Sequence, residues 1–266
     1  MHRKFDNRNR VLVGLIIISA LLFLCAKGAW KDRKESVLWS KYKNESEVEA
    51  ASKEEKVEEP EEVALNPNQP MIALTFDDGP GKYTDELLTL LKENDAKATF
   101  MVLGSNVLKY PEAIKRMEEL GFEIGNHSYS HVKLTGLTPE ALQQEIEGTN
   151  DALKQVIGHG ANLVRPPYGA INEAVRTYTG YPLAMWSVDT EDWKLRDAAA
   201  IVDYILANAK DGDVILVHDI HGFTVEAMRT VIPELKARGY QLVTFSEMAE
   251  VHGVKLENGQ KYFNFR

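Results

Sequence analysis

Two rhythms of apolar residues run through most of this chain. Segments 71–76, 98–102, 122–126, 162–165, 183–188, 213–218 and 240–245 are short and rich in Val, Ile, Leu, Phe and Met, as strands covered on both faces are. Between them, over 84–94, 110–120, 138–157, 172–178, 197–209 and 224–238, apolar positions recur at three- and four-residue spacing, the period of helices with one buried face. Helix ends carry their own marks. Thr138 before Pro139 reads as an N-cap and first helical residue, and Gly121 and Gly239 fall just past helices, where a left-handed residue closes the last turn. Strands alternating with helices in this way predict a parallel α/β domain. A closed or partly closed barrel and an open doubly wound sheet both fit. No Gly-x-Gly-x-x-Gly or Walker loop follows a strand, which disfavours a nucleotide-binding sheet.

Neither rhythm is present before Met71. Residues 11–26 form an uncharged, almost wholly apolar run of 16 residues, with Arg3, Lys4, Arg8 and Arg10 before it and Lys27, Lys31, Arg33 and Lys34 after it. As a helix that run spans about 24 Å, just enough to cross a bilayer once its flanking lysine snorkels outward. The pattern predicts a cytoplasmic tail over 1–10, a transmembrane anchor over 11–30, a stalk over 31–68, a folded domain over 69–255 and a tail over 256–266. The basic residues before the run place the domain outside the cytoplasm. The alternative is a cleaved signal peptide, since Ala26-Lys27-Gly28 resembles a small-x-small site, and it exports the domain equally.

Charge separates these parts. Residues 1–34 carry a net +6, residues 35–62 a net −6, and the remainder the whole chain's net of −9. An acidic domain is poorly suited to nucleic acid, whose binding rests on neutralising phosphates. The segment 35–62, rich in Glu, Lys and Ser, reads as a solvated, self-repelling spacer. With 44% hydrophobic residues the chain can build one large core. Cys25, the only cysteine, sits in the apolar run, so the exported domain has neither an internal disulfide nor a thiol nucleophile.

The candidate chemistry lies at strand ends. The first strand runs into Thr75-Phe76-Asp77-Asp78-Gly79-Pro80, so two adjacent carboxylates leave a buried strand in different directions before glycine and proline turn the chain. One acid can hold a cation while the other handles a proton. The third strand is followed by His127-Ser128-Tyr129-Ser130-His131, and histidines at i and i+4 share one side of a helical turn. With Asp78 they make a His, His, Asp set with positions left for water, the arrangement of a catalytic divalent metal; a structural zinc would more often take cysteines. Arg165-Pro166-Pro167-Tyr168-Gly169 follows the fourth strand, and Arg165 would orient Asp77 and favour its charged form as a base. The fifth strand ends in Asp189-Thr190-Glu191-Asp192-Trp193 and the sixth in Leu216-Val217-His218-Asp219. Pairing with Asp189 would raise the proton affinity of His218 and make it a general acid. His159, His221 and His252 lack such a setting and read as surface or supporting groups.

Together, the Thr75–Pro80 hexapeptide, His127-x-x-x-His131, Arg165-Pro166-Pro167-Tyr168, Asp189-x-x-Asp192-Trp193 and Leu216-Val217-His218 resemble the five ordered motifs of the polysaccharide deacetylases of carbohydrate esterase family 4, the NodB-homology domain. The resemblance covers about residues 70–250. It implies a distorted (β/α)7-type barrel, a divalent metal, most often zinc with cobalt or nickel as alternatives, and hydrolysis of N-acetyl groups on β-1,4-linked amino sugars. By motif, Asp77 is the base, Asp78, His127 and His131 the metal ligands, and His218 the acid. Arg165 holds Asp77, Asp189 holds His218, Tyr168 gives a backbone N–H to the oxyanion, and Trp193 and Leu216 wall the acetyl pocket. Relatives acting on muramic acid often alter the second Asp or the Tyr, and this chain keeps both. The expected substrate is therefore N-acetylglucosamine in a cell-wall glycan, peptidoglycan first, met by a membrane-tethered monomer. A chitooligosaccharide or other exopolysaccharide, an acetylxylan, or a non-catalytic glycan-binding role are the alternatives.

Overall fold

The computed structural model describes residues 65–266. The expected cytoplasmic tail, the anchor over 11–30 and nearly all of the stalk lie outside them. Among the described residues no helix is long and apolar enough to cross a membrane.

In chain order the elements are β1 (Met71–Asp77), α1 (Thr84–Glu93), β2 (Thr99–Val102), α2 (Gly104–Val107), α3 (Pro111–Glu119), β3 (Glu123–Asn126), α4 (Pro139–Ile157), α5 (Glu173–Tyr178), β4 (Leu183–Ala184), β5 (Val188–Asp189), α6 (Asp192–Leu195), α7 (Ala198–Asn208), β6 (Asp213–His218), α8 (Gly222–Ala237), β7 (Gln241–Val243), α9 (Phe245–Val251) and β8 (Lys261–Tyr262). The sheet runs β3-β2-β1-β6-β5, all parallel. β1 changes one neighbour along its length, pairing Met71–Ala73 with β7 and Thr75–Asp77 with β2. Beyond β3 the path continues through Val164, which bridges both Asn126 and Leu183, and through β4 to β8. Because β5 follows β4 closely and returns to β6, the parallel sheet curls round into a barrel-like α/β fold.

Two expected strands are smaller than their apolar runs suggested. The segment 162–165 is reduced to the bridge at Val164, since Pro166 and Pro167 follow at once and have no N–H to extend a ladder. The segment 183–188 divides where it changes partners: the Met185 N–H donates to Tyr262 O, the Ser187 N–H to Val214 O. Three short helices, α2, α6 and α9, escaped notice because four to seven residues barely show a helical period. The α9 start was nevertheless written in the chain as a Thr244/Glu247 capping box. The helix-end marks perform as expected: the Ala141 N–H donates to Thr138 Oγ1, and Gly121 and Gly239 have φ of 65° and 89°. Residues 256–266 are not a tail. They contribute β8, and Phe265, 2% exposed, packs edge-on against Phe245.

Strand alternation sorts the core into two layers. Ile72, Leu74 and Phe76 of β1, with Ile215 and Val217 of β6, face outward into a cluster with Leu87, Leu88 and Leu91 of α1 and Met228, Val231 and Ile232 of α8. Met71 and Ala73, with Val214, Met101 and Val243, face inward onto Phe245, Met248 and Phe265. On that same inward face, one and two steps further up, come Thr75 and Asp77 on β1, register partners of Leu216 and His218 on β6. The interior thus passes from hydrocarbon at its floor to titratable groups at the carboxyl ends of the strands. A parallel barrel presents its functional loops at that end.

Candidate active site

Asp77 ends β1 with its side chain turned inward and buried. Arg165, fully buried, donates through Nη1 to Asp77 Oδ1 at 2.7 Å and to Thr75 Oγ1 at 2.7 Å, through Nε to Ala184 O at 2.8 Å and through Nη2 to Met185 O at 2.9 Å. The Trp186 ring lies 5.5 Å from the guanidinium carbon. With four acceptors and an aromatic face around it, this buried cation is paired and fixed, and the expected Arg165–Asp77 contact is present.

Alternation would send Asp78 to the opposite face, but it does not go there. Its φ is +74°, in the left-handed region, and this turns its carboxylate back toward the same histidine that Asp77 faces. His127 Nε2 lies 3.6 Å from Asp77 Oδ2 and 3.5 Å from Asp78 Oδ1, and His131 Nε2 lies 3.3 Å from Asp78 Oδ1. The two histidines also meet by a different route from the one expected. Residues 127–131 are not a helical turn; Ser128 and His131 both have positive φ, and the loop's curl brings the imidazole centroids to 5.1 Å. Seven non-glycine residues among those described have positive φ, and five of them, Asp78, Ser128, His131, Tyr168 and Glu191, belong to this site or adjoin its residues. Backbone strain of this kind concentrates where geometry is dictated by function.

Asp78, His127 and His131 bring their donor atoms within 4.8 Å of one another. Two observations show that this set suits a divalent cation. His127 Nδ1 is 2.7 Å from Arg165 O; a carbonyl only accepts, so Nδ1 carries the proton and Nε2 presents its lone pair to two carboxylate oxygens. Burial keeps His127 neutral by pushing its pKa below the ordinary value, although Asp77 and Asp78 pull it upward. Lone pair therefore faces lone pair. In addition, Asp78 Oδ1 is buried without a hydrogen-bond partner among the described residues, which a native site tolerates when an ion completes it.

Opposite this cluster stands His218, and its partner is Asp192 rather than the expected Asp189. His218 Nδ1 lies 2.7 Å from Asp192 Oδ1, the His218 N–H donates to Asp192 Oδ2 at 2.9 Å, and Thr224 Oγ1 donates to the same oxygen at 2.6 Å. Asp189 instead accepts the Glu191 N–H in the turn that follows β5. The reason is steric order along the chain. Asp189 still belongs to the strand, whereas Glu191, with φ of 47°, reverses direction so that Asp192 opens α6 pointing inward, fully buried. Sequence reasoning preferred the acid at the strand end; an acid at the first turn of a helix, next to Trp193, was the available signal. Burial opposes charge on His218, yet the Asp192 hydrogen bond and its negative charge raise the pKa to about 9. The same contacts hold Asp192 low against its own burial.

The remaining predicted residues surround this centre. Tyr168, 68% exposed with φ of +61°, sets its ring edge-on to His131 at 4.7 Å and its hydroxyl near His131 O. Leu216 is buried two residues before His218, while Trp193 stands half exposed at the rim. Asp219 was not anticipated. Burial raises its pKa to about 7, the Thr84 hydroxyl donates to Oδ2, and a Cβ on Gly79 would overlap its carboxylate. This explains why glycine, rather than any residue able to turn, occupies position 79.

This arrangement has known counterparts. The polysaccharide deacetylase family profile matches residues 64–181. The peptidoglycan-N-acetylmuramic acid deacetylase PdaC of Bacillus subtilis is 43% identical over 85% of this chain and 49% of its own length. The peptidoglycan-N-acetylglucosamine deacetylase PgdA of Listeria monocytogenes is 43% identical over 73% of this chain and 41% of its own. The chain thus spans less than half the length of these two relatives. A solved structure of B. subtilis PdaC superposes with a TM-score of 0.70 at 45% identity, covering 71% of this chain and 94% of that one. The chain belongs to the polysaccharide deacetylase family.

Proposed function

We propose that the domain hydrolyses the N-acetyl group of an amino sugar in a cell-wall glycan, peptidoglycan foremost, at the end of a membrane anchor. The observation that carries this reading is the Asp78, His127 and His131 ligand set flanked by one carboxylate fixed by arginine and one imidazolium fixed by aspartate. Asp78, His127 and His131 would hold a divalent ion, zinc or else cobalt or nickel, which would supply Lewis acidity to the hydrolysis. Asp77, held through Oδ1 by Arg165, turns Oδ2 into the site and takes a proton from the attacking water. As the water oxygen bonds to the acetyl carbon, the Tyr168 N–H donates to the developing oxyanion. His218, positively charged at neutral pH, passes a proton to the sugar nitrogen as the C–N bond breaks, giving acetate and a free amine. Trp193 and Leu216 flank the acetyl methyl.

Retention of Asp78 and Tyr168 favours N-acetylglucosamine. The name of the B. subtilis relative favours N-acetylmuramic acid, so the two sugars are the readings to separate. Acetate release from peptidoglycan and from chitin oligomers, with and without added Zn²⁺ or Co²⁺, tests the activity, and mass spectrometry of the muropeptides identifies the sugar. Metal-dependent acetate release with deacetylated glucosamine is expected. Turnover undiminished in protein verified to be metal-free overturns the mechanism, and glycan binding without acetate release supports a non-catalytic role instead. The basic, apolar and charged blocks of residues 1–62 support a single anchor with the domain outside the cytoplasm. Protease applied to intact cells then sheds the domain.

A further inference from the structure

The loop that carries both histidines has an unusual hydrogen-bond inventory. Four consecutive backbone N–H groups, from residues 128 to 131, all donate to side-chain oxygens: Ser128 to Asn126 Oδ1 at 2.9 Å, Tyr129 to Glu145 Oε2 at 3.0 Å, Ser130 to Glu145 Oε2 at 2.8 Å and His131 to Ser128 Oγ at 3.0 Å. Ser130 Oγ adds a further bond to Glu145 Oε1 at 2.7 Å. The positive φ angles at Ser128 and His131 deny these amides any regular backbone partner. Ser128 is local to the loop, and Asn126, at the end of β3, ties the loop's start to α4 through its Nδ2, which donates to Ile146 O at 2.8 Å and to Asn150 Oδ1 at 3.2 Å. Glu145, on α4, is the one acceptor for these four amides that lies outside residues 126–131.

We infer that Glu145 is a positioning residue for the cation site: it fastens the His127–His131 loop to α4 and thereby sets how tightly a divalent ion is held. The loop's carbonyls are fastened on the other side, where the Gly104 and Ser105 N–H groups at the start of α2 donate to Ser128 O and Tyr129 O. The Tyr129 ring lies against Gly104 and Gly148, and a side chain on Gly104 would collide with it. α4 itself is a sound platform, 19 residues long, capped at both ends and packed through Leu142 and Ile146 into a core with Val164. Of these attachments, Glu145 alone binds two successive loop amides through one oxygen, and His131 is the next residue. Releasing them frees His131 from the geometry that brings its Nε2 to Asp78.

The inference rests on Asp78, His127 and His131 being a cation site, and the experiment separates the two. Zn²⁺ affinity of the full chain is measured by chelator competition for wild type, Glu145→Ala, Glu145→Gln, Glu145→Asp and His131→Ala, with amide hydrogen exchange at 128–131 read in the metal-free protein. Losing a partner that orients metal ligands typically costs about 10- to 100-fold in affinity, and that loss is expected for Glu145→Ala, with faster exchange at 129 and 130. Glu145→Gln, which keeps an acceptor oxygen but no charge, should return to within a few-fold of wild type. A Glu145→Gln protein as weak as Glu145→Ala would show that charge matters and not fastening, and would overturn the proposal. So would a Glu145→Ala protein with wild-type affinity and exchange. If Glu145→Ala does not fold, Glu145→Asp, whose carboxyl is drawn back by one methylene, carries the same comparison, and wild-type affinity there counts against the proposal. Wild-type binding by His131→Ala would instead refute the cation site itself.

Discussion

Two ion pairs flank the candidate cation site, and they are built from opposite materials. On one side Asp77 is bound to Arg165, fully buried and tied to two backbone carbonyls. On the other side Asp192 is bound to His218, which is partly exposed. Arginine does not give up its proton in a protein, so the first pair has one charge state and serves as a fixture. Histidine does, so the second pair has two charge states and can deliver a proton. Each half of the site does what its cation permits: the buried arginine holds Asp77 in place without itself exchanging a proton, and the partly exposed histidine can exchange one.

The sharpest break in this contrast is Asp77→Asn, which keeps the shape and the arginine contact but loses the base. Acetate release is expected to fall about 10⁴-fold, the upper range for a general base, with Zn²⁺ affinity little changed in chelator competition. His218→Ala removes the mobile proton, and a loss of about 10³-fold in the same assay is expected. Arg165→Met tests the fixture. It strands a buried carboxylate, and a urea titration should show a loss of about 3–5 kcal/mol in stability.

Asp192→Asn addresses the titration itself. With the charge of Asp192 removed, the His218 pKa falls from about 9 toward its ordinary value, and the alkaline limb of the rate profile moves to lower pH. The sign for stability follows from the same shift. Because the folded pKa is raised, the pair's contribution is complete below pH 6.5 and is lost as pH rises through about 9. Metal-free wild type should therefore lose part of its urea resistance across that window, and Asp192→Asn should lose less there. The smallest effect belongs to Asp189→Asn, which touches only a turn amide. It should shift stability by no more than about 0.5 kcal/mol and leave the pH profile in place, and a displaced alkaline limb would return the partner role to Asp189.

What the chain revealed in advance divides along similar lines. The strand-borne groups were legible because the apolar runs mark the strand ends: Asp77 and His218 each close a predicted strand, and the fold makes those strands neighbours with the two residues in register. The loop-borne groups were legible as residue types but not as geometry. Asp78, Ser128, His131 and Glu191 all adopt left-handed backbone that their side chains do not announce. Hence the reversed direction of Asp78, the non-helical histidine pair and the exchange of Asp189 for Asp192 were invisible. Glu145 was invisible for another reason: one carboxylate on a long amphipathic helix looks like solvent-facing charge until the loop folds over it.

The polarity gradient inside the barrel, from Met71 and Ala73 at the floor to Asp77 at the rim, also bears on how this molecule can change. Along one strand face, the residues that decide whether the chain folds and those that decide what it does are separated by Thr75 alone. A variant that repacks Met71, Val243, Phe245 or Met248 alters melting temperature while the rim keeps its chemistry, and a variant at the rim alters chemistry over an unchanged floor. Selection, or an engineer, can adjust thermal tolerance and the chemistry of the rim as two nearly independent traits.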